Sequence, residues 1–358
     1  MNTSLERLIG MITRGGTSEQ VFTKILPDIR ESNRIAVRNF SILAFVMLLG
    51  MTAASYFVES IKEVRPLYMT SAAACGVIAL LSATLAKKSE VLKDAVMYAF
   101  MAVLLLFGIF LGTVVVRDEI TATYIAMILT APLVFTDRPF RMHIVLILST
   151  MMFCIMTVEL KEEQFASTDV VNGIVFGLLS MVVSTYMMFI KIQRYAMEEK
   201  VRFMAENDQL TGLRNRNSYE QEIVNSKILE ANSLYCVYVD VNGLHELNNT
   251  QGHEAGDRML QFVAKLMQNI FGEDNTYRIG GDEYVALGKD KTEEEVREQI
   301  AKLKTSVEAA GYHVAAGMDH KPGKKLVVND LIKTAEHEMY LDKAAYYRQN
   351  GNDRRHYI

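Results

Sequence analysis

The sequence contains no tryptophan, only three cysteines and only five prolines among its 358 residues. Cys75, Cys154 and Cys236 lack the spacing of a zinc site, and an odd number of cysteines within apolar segments provides no disulfide framework. A formal net charge of −4 argues against binding to a nucleic-acid polymer through a basic surface. These absences exclude a disulfide-rich secreted domain, a zinc protein of ordinary spacing and a basic nucleic-acid binder.

The first half of the chain contains six apolar runs separated by short charged segments. A helix needs about 17–25 residues to cross the hydrocarbon of a bilayer. The fourth run, which contains Pro132, and the fifth are short, so a re-entrant hairpin formed by these two is the alternative to six crossings. Runs without a polar face for water argue against a soluble bundle. We predict about six transmembrane helices, from runs at residues 40–58, 67–86, 95–116, 121–135, 142–158 and 170–190.

Lysine and arginine are distributed unequally among the segments that flank these runs. Twelve lie near the run ends on one side, namely three close before the first run, three between the second and third, two between the fourth and fifth, and four close after the sixth (191–202), whereas four lie in the other loops. Because cytoplasmic loops carry the excess of positive charge, we expect a multi-pass protein of the cell inner (cytoplasmic) membrane, in contact with lipid, with both termini in the cytoplasm. The first run begins too far from Met1 for a cleaved signal peptide.

Composition divides the chain into four predicted parts. They are a cytoplasmic N-terminal segment, a transmembrane input domain, a helical linker and a C-terminal domain, at residues 1–35, 36–191, 192–206 and 207–358. The N-terminal segment has apolar side chains near one helical face, which fits equally an interfacial helix or the approach to the first crossing. These side chains are Val21, Phe22, Ile25 and Ile29.

The helical segment that leaves the membrane domain carries a short apolar seam. Its residues are spaced by four, three, four and three positions, as a and d residues of a coiled coil are, and they are Ile190, Arg194, Met197, Val201 and Met204. Two heptads are fewer than a coiled coil normally needs, so a solvated helical linker is the competing interpretation. The seam favours a homodimer if the domain that follows has to be paired.

After residue 206 the pattern changes to strands that alternate with amphipathic helices. Two short strands flank Gly280 and Gly281, which is a hairpin signal. The alternation predicts an α/β sandwich around a central mixed sheet. The predicted elements are a strand at 234–241, a helix at 254–271, the hairpin at 276–287, a helix at 293–310, a strand at 312–319 and a helix at 326–349.

Carboxylates occupy two ends of these predicted strands. Asp240 ends the first strand, and Asp282 and Glu283 lie at the tip of the hairpin. Adjacent strands would bring these acids together, and close carboxylates repel unless a cation bridges them. Mg²⁺ prefers one or two carboxylates plus substrate phosphates, and glycine allows a phosphate to approach the backbone closely. A double-glycine hairpin followed by acids is also a common solvated turn. The neighbouring sequence motifs are therefore needed to distinguish a binding site from such a turn.

Four motifs occur here in the order and spacing of the GGDEF family. They are DQLTGLRNR (208–216), DVNGLHELNNTQGHEAGD (240–257), RIGGDEY (278–284) and AEHEMYLDK (335–343). Residues 207–358 therefore resemble the bacterial diguanylate cyclases, nucleotidyltransferases that join two GTP into cyclic di-GMP and release two pyrophosphates. The resemblance implies a GGDEF catalytic domain at 207–358, and it does not extend to the membrane helices.

The resemblance implies a role for each motif residue. Mg²⁺ (or Mn²⁺) is expected to bind Asp240, the backbone carbonyl of Val241 and Asp282. Asp282 is also implied to assist deprotonation of the attacking 3′-hydroxyl, and Glu283 is the second catalytic acid. The implied GTP-binding residues are Asn248 and Asp257 at guanine, His253 beside them with simple packing as an equal alternative, and Gly280, Gly281 and Lys343 at the phosphates. Arg216 and Arg278 are expected to tie the DQLTGLRNR turn to the hairpin.

Several positions depart from the family pattern. His245 and Asn249 stand where Lys and Asp are usual, and Tyr284 replaces the final Phe of the signature. Tyr347 stands where an Arg that contacts phosphate is common. Arg348 follows one position late, and one residue turns a helical side chain by about 100°.

The feedback motif of the family also differs here. Many members carry Arg-x-x-Asp just upstream of the signature hairpin, where the product binds. In this chain Phe271 replaces the Arg, and Asp274 retains the Asp.

These observations predict a membrane-anchored diguanylate cyclase that acts in signal transduction. A transmembrane sensory domain with an unknown input ligand would control it, and it would act as a homodimer because one GTP binds per subunit. The alternatives are a catalytically weak or silent GGDEF domain that binds GTP or cyclic di-GMP, and a transport or scaffold protein that this domain regulates. Transport is disfavoured because the apolar runs contain few charged residues.

Overall fold

The computed structural model describes residues 9–224, 232–322 and 328–349. It contains two compact units, Met1–Glu199 and Lys200–Ile358, each with its own apolar core. Parts of the predicted N-terminal segment and of the predicted C-terminal domain lie outside the described residues. These parts are 1–8, 225–231, 323–327 and 350–358.

All six predicted apolar runs of the first unit form helices. Ser18 and Ser89 cap the first and third helices, because each side chain accepts a hydrogen bond from a backbone N–H three residues later. The third helix ends in a π-helical turn, Leu111–Val115. The helices are α1 (Glu19–Ala54), α2 (Arg65–Ala83), α3 (Glu90–Phe110), α4 (Thr123–Val134), α5 (Pro139–Leu160) and α6 (Glu163–Glu206).

Five helices within the described part of the chain are long and apolar enough to cross a membrane. Their segments are Ile9–Ala54, Arg65–Lys88, Glu90–Val115, Pro139–Leu160 and Glu163–Glu206. α4 has only 12 residues, a length of about 18 Å against a hydrocarbon thickness of about 30 Å. Helix length therefore supports five crossings, and a sixth crossing through α4 stays a prediction.

Side chains of α6 supply hydrogen bonds that the backbone of α4 lacks. Pro132 has no N–H, and the carbonyl of Ile128 accepts instead from Ser180 Oγ of α6 at 2.7 Å. Lys191 of α6 donates to the carbonyls of Leu133 and Val134 at 2.5 and 3.2 Å, at the C-terminus of α4. Such side-chain partners satisfy backbone groups that water cannot reach inside a membrane.

α6 packs against α5 through small residues. A Cβ atom on Gly173 would overlap the ring of Phe153, and one on Gly177 would overlap Thr150. Close approach through small residues is typical of membrane helix pairs. The buried face of α6 comprises Asp169, Gly173, Gly177, Ser180, Ser184, Met188 and Ile192.

From Glu19 onward, the predicted N-terminal segment is part of α1, after a turn at residues 15–18. α1 begins at Glu19 and continues to Ala54, and Phe22, Ile25 and Ile29 are buried in the core of the first unit. Of the two alternatives for this segment, the structure favours the approach to the first crossing.

An ion pair that the sequence pattern did not reveal lies in the first unit. Lys161 Nζ lies 2.7 Å from Asp169 Oδ2, and neither side chain is exposed. Asp169 also accepts hydrogen bonds from the backbone N–H and the hydroxyl of Thr121. These residues lie at the ends of apolar runs, so a count of charges within the runs misses them.

The second unit contains a four-stranded sheet among the described residues. The strands lie in the order β2-β3-β1-β4. Its elements are α7 (Arg216–Val224), β1 (Ser233–Asn242), α8 (Leu244–Gln251), α9 (His253–Phe271), β2 (Thr276–Arg278), β3 (Glu283–Lys289), α10 (Glu293–Ala309), β4 (His313–Pro322) and α11 (Val328–Gln349).

The predicted mixed sheet is wrong for these four strands, because every pair of neighbouring strands is antiparallel. β3 and β4 run in the same direction and are connected by α10, as alternating strands and helices led us to expect, but β1 lies between them. This is the split arrangement of a β-α-β-β-α-β fold. A parallel contact occurs as a single bridge between Arg214 and Tyr277.

Alternate residues of β1 face opposite layers of the second unit. Val237 and Val239 pack in the cluster that contains α9 and α10, whereas Cys236 and Tyr238 pack with α11. Because side chains alternate along a strand, Asp240 lies on the face covered by α11. The backbone of α11 approaches β4 closely at Gly317, where a Cβ atom would overlap the backbone at Met339 and Ala335.

Candidate functional site

The hairpin between β2 and β3 forms one side of the candidate site. Its four-residue loop is closed by hydrogen bonds from the N–H groups of Ile279 and Gly280 to the carbonyl of Glu283, at 3.0 and 3.4 Å. A Cβ atom on Gly280 would overlap the carboxylate of Glu283, whereas one on Gly281 would meet open space. A side chain at 280 would therefore displace the Glu283 carboxylate, and 281 leaves an accessible backbone.

The structure brings the three predicted acids to one place. Asp240 lies opposite Glu283 in the register of β1 and β3. The N–H of Val241 donates to the carbonyl of Asp282 at 3.0 Å, which fixes the hairpin tip to the end of β1. Asp240 is buried, while Asp282 and Glu283 are partly exposed.

Lys343 of α11 supplies positive charge to this cluster. It follows a buried stripe on α11, Leu331, Ala335 and Met339, at spacings of four residues, so it emerges on the same helical face. Its Nζ lies 2.6 Å from Asp240 Oδ1. The two residues are 103 positions apart in the chain, and the stripe on α11 is the sequence signal that relates them.

Burial controls the electrostatics of the acids. Burial raises the pKa of Asp240 to about 6 against the opposing effect of Lys343, and the charges of Asp282 and Glu283 add to the rise. The pKa of Glu283 is also raised, by burial and by the charges of Asp282 and Glu336. Burial alone would lower the pKa of Lys343, but Asp240 raises it above its usual value. These carboxylates favour a neighbouring cation.

The donor atoms fit a hard divalent cation only in part. Among the described residues no group of three His, Cys, Asp or Glu side chains could hold a metal ion alone. Asp240, Asp282 and the Val241 carbonyl offer oxygen ligands, which suit Mg²⁺ when substrate phosphates complete the coordination. The site therefore fits a cation that arrives with a phosphorylated substrate.

The predicted guanine-binding residues lie on α8 and α9. Asn248 Oδ1 is buried and has no hydrogen-bond partner among the described residues. Asn248 packs directly on Gly256, where a Cβ atom would overlap its amide oxygen. Gly256 thus places Asn248 beside the turn that carries Asp257, which is exposed. His253 is exposed at the first turn of α9, which argues against simple packing.

The residues that differ from the family pattern make specific contacts within the second unit. His245 and Asn249 hydrogen-bond to each other at 3.0 Å on the exposed side of α8. The hydroxyl of buried Tyr284 donates to the carbonyl of Leu260 at 3.0 Å, so the additional oxygen is satisfied. Phe271 is buried in the core of the second unit.

Arg278 connects the turn at 208–215 with the hairpin. It donates to Asp208 Oδ1 at 2.8 Å and to the carbonyl of Gly281 at 2.7 Å. Burial alone would raise the pKa of Asp208, but hydrogen bonds from Thr211 and Arg278 lower it. Arg216 is exposed and pairs with Glu220 of its own helix, so the expected connection belongs to Arg278 and not to Arg216.

Asp342, within the motif at 335–343, is a positioning residue to which the sequence analysis assigned no role. It accepts hydrogen bonds from the N–H of Ala316 in β4 at 2.8 Å and from Lys304 of α10 at 2.6 Å. These contacts dock α11 on the sheet one residue before Lys343. A charged residue beside the Lys of the motif is the signal that could have indicated it.

Comparison with known proteins identifies the second unit. The family described as "Diguanylate cyclase, GGDEF domain" matches residues 205–349. These residues form a GGDEF domain, and apolar helices precede it in the chain.

Relatives share different parts of the chain. The diguanylate cyclase DosC of Shigella sonnei is 30% identical over 141 residues, 38% of this chain and 30% of that protein. An uncharacterized membrane protein of Staphylococcus saprophyticus is 25% identical over 274 residues, 67% of this chain and 75% of that protein. This relative and the apolar helices indicate a membrane protein. The chain spans 12% of the length of the first curated relatives that it matches.

The chain is also similar to a solved structure. The coiled coil and GGDEF domain of DgcB from Caulobacter crescentus, in complex with c-di-GMP, is 20% identical with a TM-score of 0.41. The similarity covers 47% of this chain and 95% of that one.

Proposed function

We propose that the chain is a membrane diguanylate cyclase that condenses two GTP into cyclic di-GMP. The observation that supports this proposal is the convergence of Asp240, Asp282 and Glu283 beside Lys343 at an open glycine hairpin. In the reaction each 3′-hydroxyl oxygen would form a bond to the α-phosphorus of the other GTP. The bond between the α-phosphorus and the bridging oxygen breaks, so two pyrophosphates leave.

Each residue of the site would have a separate role in binding or in the reaction. Asp282, partly exposed at the hairpin tip, would accept the hydroxyl proton, and Glu283 would hold the geometry of the tip. Gly280, Gly281 and Lys343 would contact the phosphates, while the Asn248 amide would donate and accept hydrogen bonds at guanine and Asp257 would accept them. A carboxylate at Asp257 accepts from the N1–H and amino group of guanine, and adenine lacks that donor pair. His253 would border the base.

Asp240, the carbonyl of Val241 and Asp282 would hold Mg²⁺ or Mn²⁺. The bound cation would supply positive charge that polarises the α-phosphate and stabilises the attacking and leaving oxygens. The raised pKa of Asp240, about 6, is consistent with a carboxylate that needs such a charge.

Two subunits would meet to complete the reaction, because each site holds one GTP. The seam of α6 supports this pairing, since Met197 and Val201 are 60% and 56% exposed. We propose that the predicted parts 1–35, 36–191, 192–206 and 207–358 act as an N-terminal segment, a sensor in the inner membrane, a pairing linker and a catalytic domain. An unidentified ligand of the sensor would change the pairing.

The test is mass analysis of nucleotides that the purified full-length chain forms from GTP and Mg²⁺. We expect cyclic di-GMP and pyrophosphate in a ratio of one to two, and no cyclic product from ATP. Conversion of GTP to GDP and phosphate would show that the chain hydrolyses GTP and does not cyclise it. The same incubation with EDTA is the control for the cation.

The alternative is a GGDEF domain that binds nucleotide without turnover. The hydrogen-bonded pair His245 and Asn249 favours it, because the family usually has a lysine and an aspartate there. Saturable GTP binding without any cyclic di-GMP, in membranes as well as in detergent, would support this alternative.

A further inference from the structure

The first described residues of the chain end in a tight turn. Residues 9–14 are helical. The N–H of Gly15 donates to the carbonyl of Met11 at 3.1 Å, and the N–H of Gly16 donates across the turn at 3.0 Å. The carbonyl that accepts this second bond belongs to Gly10. Both turn glycines have a positive φ, 57° and 78°. This is a Schellman motif, in which glycine avoids the strain of the left-handed region.

The turn lies directly on α6. A Cβ atom on Gly15 would lie 2.6 Å from the side chain of Ile192. One on Gly16 would lie 2.9 Å from the ring of Phe189. Gln193 Nε2 donates to the carbonyl of Gly15 at 3.0 Å, and Ile192 is fully buried. The two glycines therefore allow the backbone of the turn to cover this part of α6.

An ion pair adds a second contact between the same two segments. Lys24 Nζ, in the second turn of α1, lies 2.7 Å from Glu199 Oε1 of α6. The Glu199 side chain is only 12% exposed. Glu199 is seven residues after Ile192, which is about two helical turns on the same face. Residues 9–24 therefore hold one face of α6 over about two turns.

This held face is opposite the apolar seam of α6. At about 100° per residue, Met197 is rotated by about 140° from Ile192 and by about 160° from Glu199. Met197 is 60% exposed. The contacts with residues 9–24 therefore restrain α6 and leave its seam accessible.

We propose that residues 9–24 form a clamp that fixes the rotation of α6 about its axis and so presents the seam to a second copy of this chain. The clamp binds one face of α6 and the second copy binds the opposite face, so the two contacts do not compete. The inference rests on the proposed function and deepens it, because the pairing that the clamp controls is the pairing that the cyclase would need.

The experiment measures seam pairing as disulfide formation by the full-length chain carrying Met197→Cys, in membranes treated with copper phenanthroline as oxidant. Gly15→Ala with Gly16→Ala strains the turn and overlaps α6, so the rate of dimer formation should fall by about tenfold or more. Gly10→Ala is the matched control and should leave the rate unchanged, since its added Cβ atom has no neighbour closer than 4.0 Å. The chain without Met197→Cys corrects for the three native cysteines.

A charge exchange tests the ion pair without straining the backbone. Lys24→Glu places two acids together and should lower the rate about threefold to fivefold. Lys24→Glu with Glu199→Lys should restore most of it, which also shows that the single variant folds. Lys88→Glu, at an exposed position after α2, is the control for the change of charge.

Unchanged pairing in the glycine variant or in Lys24→Glu would overturn the proposal. Failure of the charge exchange to restore pairing would do so too, as would the absence of a Met197→Cys dimer in the otherwise unchanged chain. If the glycine variant is not recovered from membranes, the charge exchange decides the outcome.

Measurement of cyclic di-GMP in the same membranes separates this inference from the proposed function. If pairing depends on the clamp but the wild-type chain forms no product from GTP, the clamp stands and the cyclase assignment fails. If product forms and pairing is independent of the clamp, the assignment stands and the clamp is wrong.

Discussion

Asp282 and Asp240 face the same space but differ in their surroundings. Asp240 is buried against Lys343, so its replacement would leave a partly buried ammonium without its partner. Asp282 is partly exposed at a turn, and its backbone carbonyl makes the structural contact to Val241. A substitution of the Asp282 side chain therefore tests its proposed role in the reaction without removing a contact that stabilises the fold.

We predict that Asp282→Asn lowers cyclic di-GMP formation on the order of 100-fold or more, because it removes a charge at the position of proton and cation binding. The free energy of unfolding should change by less than about 0.5 kcal/mol. Asp274→Asn, an exposed acid outside the site, is the control and should keep normal turnover. Near-normal turnover of Asp282→Asn at saturating Mg²⁺ would contradict the assignment.

A second prediction concerns Phe271. Its side chain is buried in the core, where an arginine fork for guanine or phosphate is absent. The loss of one charged hydrogen-bond partner costs roughly 1.5–3 kcal/mol, so affinity falls by about tenfold or more. We expect no inhibition by micromolar cyclic di-GMP in initial-rate assays. Non-competitive inhibition that disappears in Asp274→Ala would show that the feedback site works without its arginine.

At the scale of elements, Arg278 holds the hairpin and the turn at 208–215 together. We predict that Arg278→Gln lowers the free energy of unfolding by about 1–3 kcal/mol and also lowers turnover, because the hairpin loses its contact at Gly281. Arg216→Gln, an exposed arginine with a partner on its own helix, should change stability by less than about 0.5 kcal/mol. Chemical unfolding of both variants at pH 7 provides the measurement.

The same pair has a pH dependence with a defined sign. The pKa of Asp208 in the folded chain is lowered, so its stabilisation is present above the unfolded value of about 3.9 and is lost as pH falls through the folded pKa. In Arg278→Gln this acid-dependent loss should become smaller. An identical pH profile for wild type and Arg278→Gln between pH 2 and 5, a range set around that unfolded pKa of about 3.9, would contradict the role of the pair.

The buried pair Lys161 and Asp169 joins the end of α5 to the start of α6. Asp169→Ala leaves an unpaired buried ammonium, which typically costs about 3–5 kcal/mol. We expect a large fall in the melting temperature in detergent, with Glu163→Gln, an exposed acid in the first turn of α6, as the unaffected control. The double change Lys161→Met with Asp169→Leu should recover most of the stability. If the single variant melts like wild type, the pair does not stabilise the bundle.

At the scale of the whole molecule, α6 carries two different faces. Its buried face is made of small residues, and its exposed apolar side continues as the seam that ends at Met204. We predict that Met197→Lys with Val201→Lys lowers cyclase activity in membranes by about tenfold or more, the equivalent of 1.4 kcal/mol in pairing, while GTP affinity is unchanged. Glu198→Lys introduces the same charge beside the seam and serves as the control.

Full activity of the chain with both substitutions would contradict the pairing role of the seam and support a solvated helical linker. A loss of GTP affinity together with activity would indicate damage to the GGDEF domain instead. Chemical crosslinking in membranes distinguishes a loss of pairing from either result.

Local patterns were sufficient to predict most elements of the second unit. β1 and the hairpin have apolar strands that end in acids, and α9 has one apolar face, so each is specified by nearby residues. The antiparallel order was not predictable from alternation, because it depends on the insertion of β1 between β3 and β4. Lys161 and Asp169 pair across the connection between two helices, and the bond from Ser180 to Ile128 joins residues 52 positions apart. Hydrophobic periodicity indicates neither contact.

Backbone groups at both edges of the sheet already have partners. At the edge formed by β4, Asp342 accepts a hydrogen bond from the N–H of Ala316, and at the edge formed by β2 the backbone of Arg214 bonds to Thr276 and Arg278. An open edge strand is a template for strand addition and aggregation. At these positions a second copy of the domain would not find free edge backbone to pair with, so an encounter there has to rely on side chains.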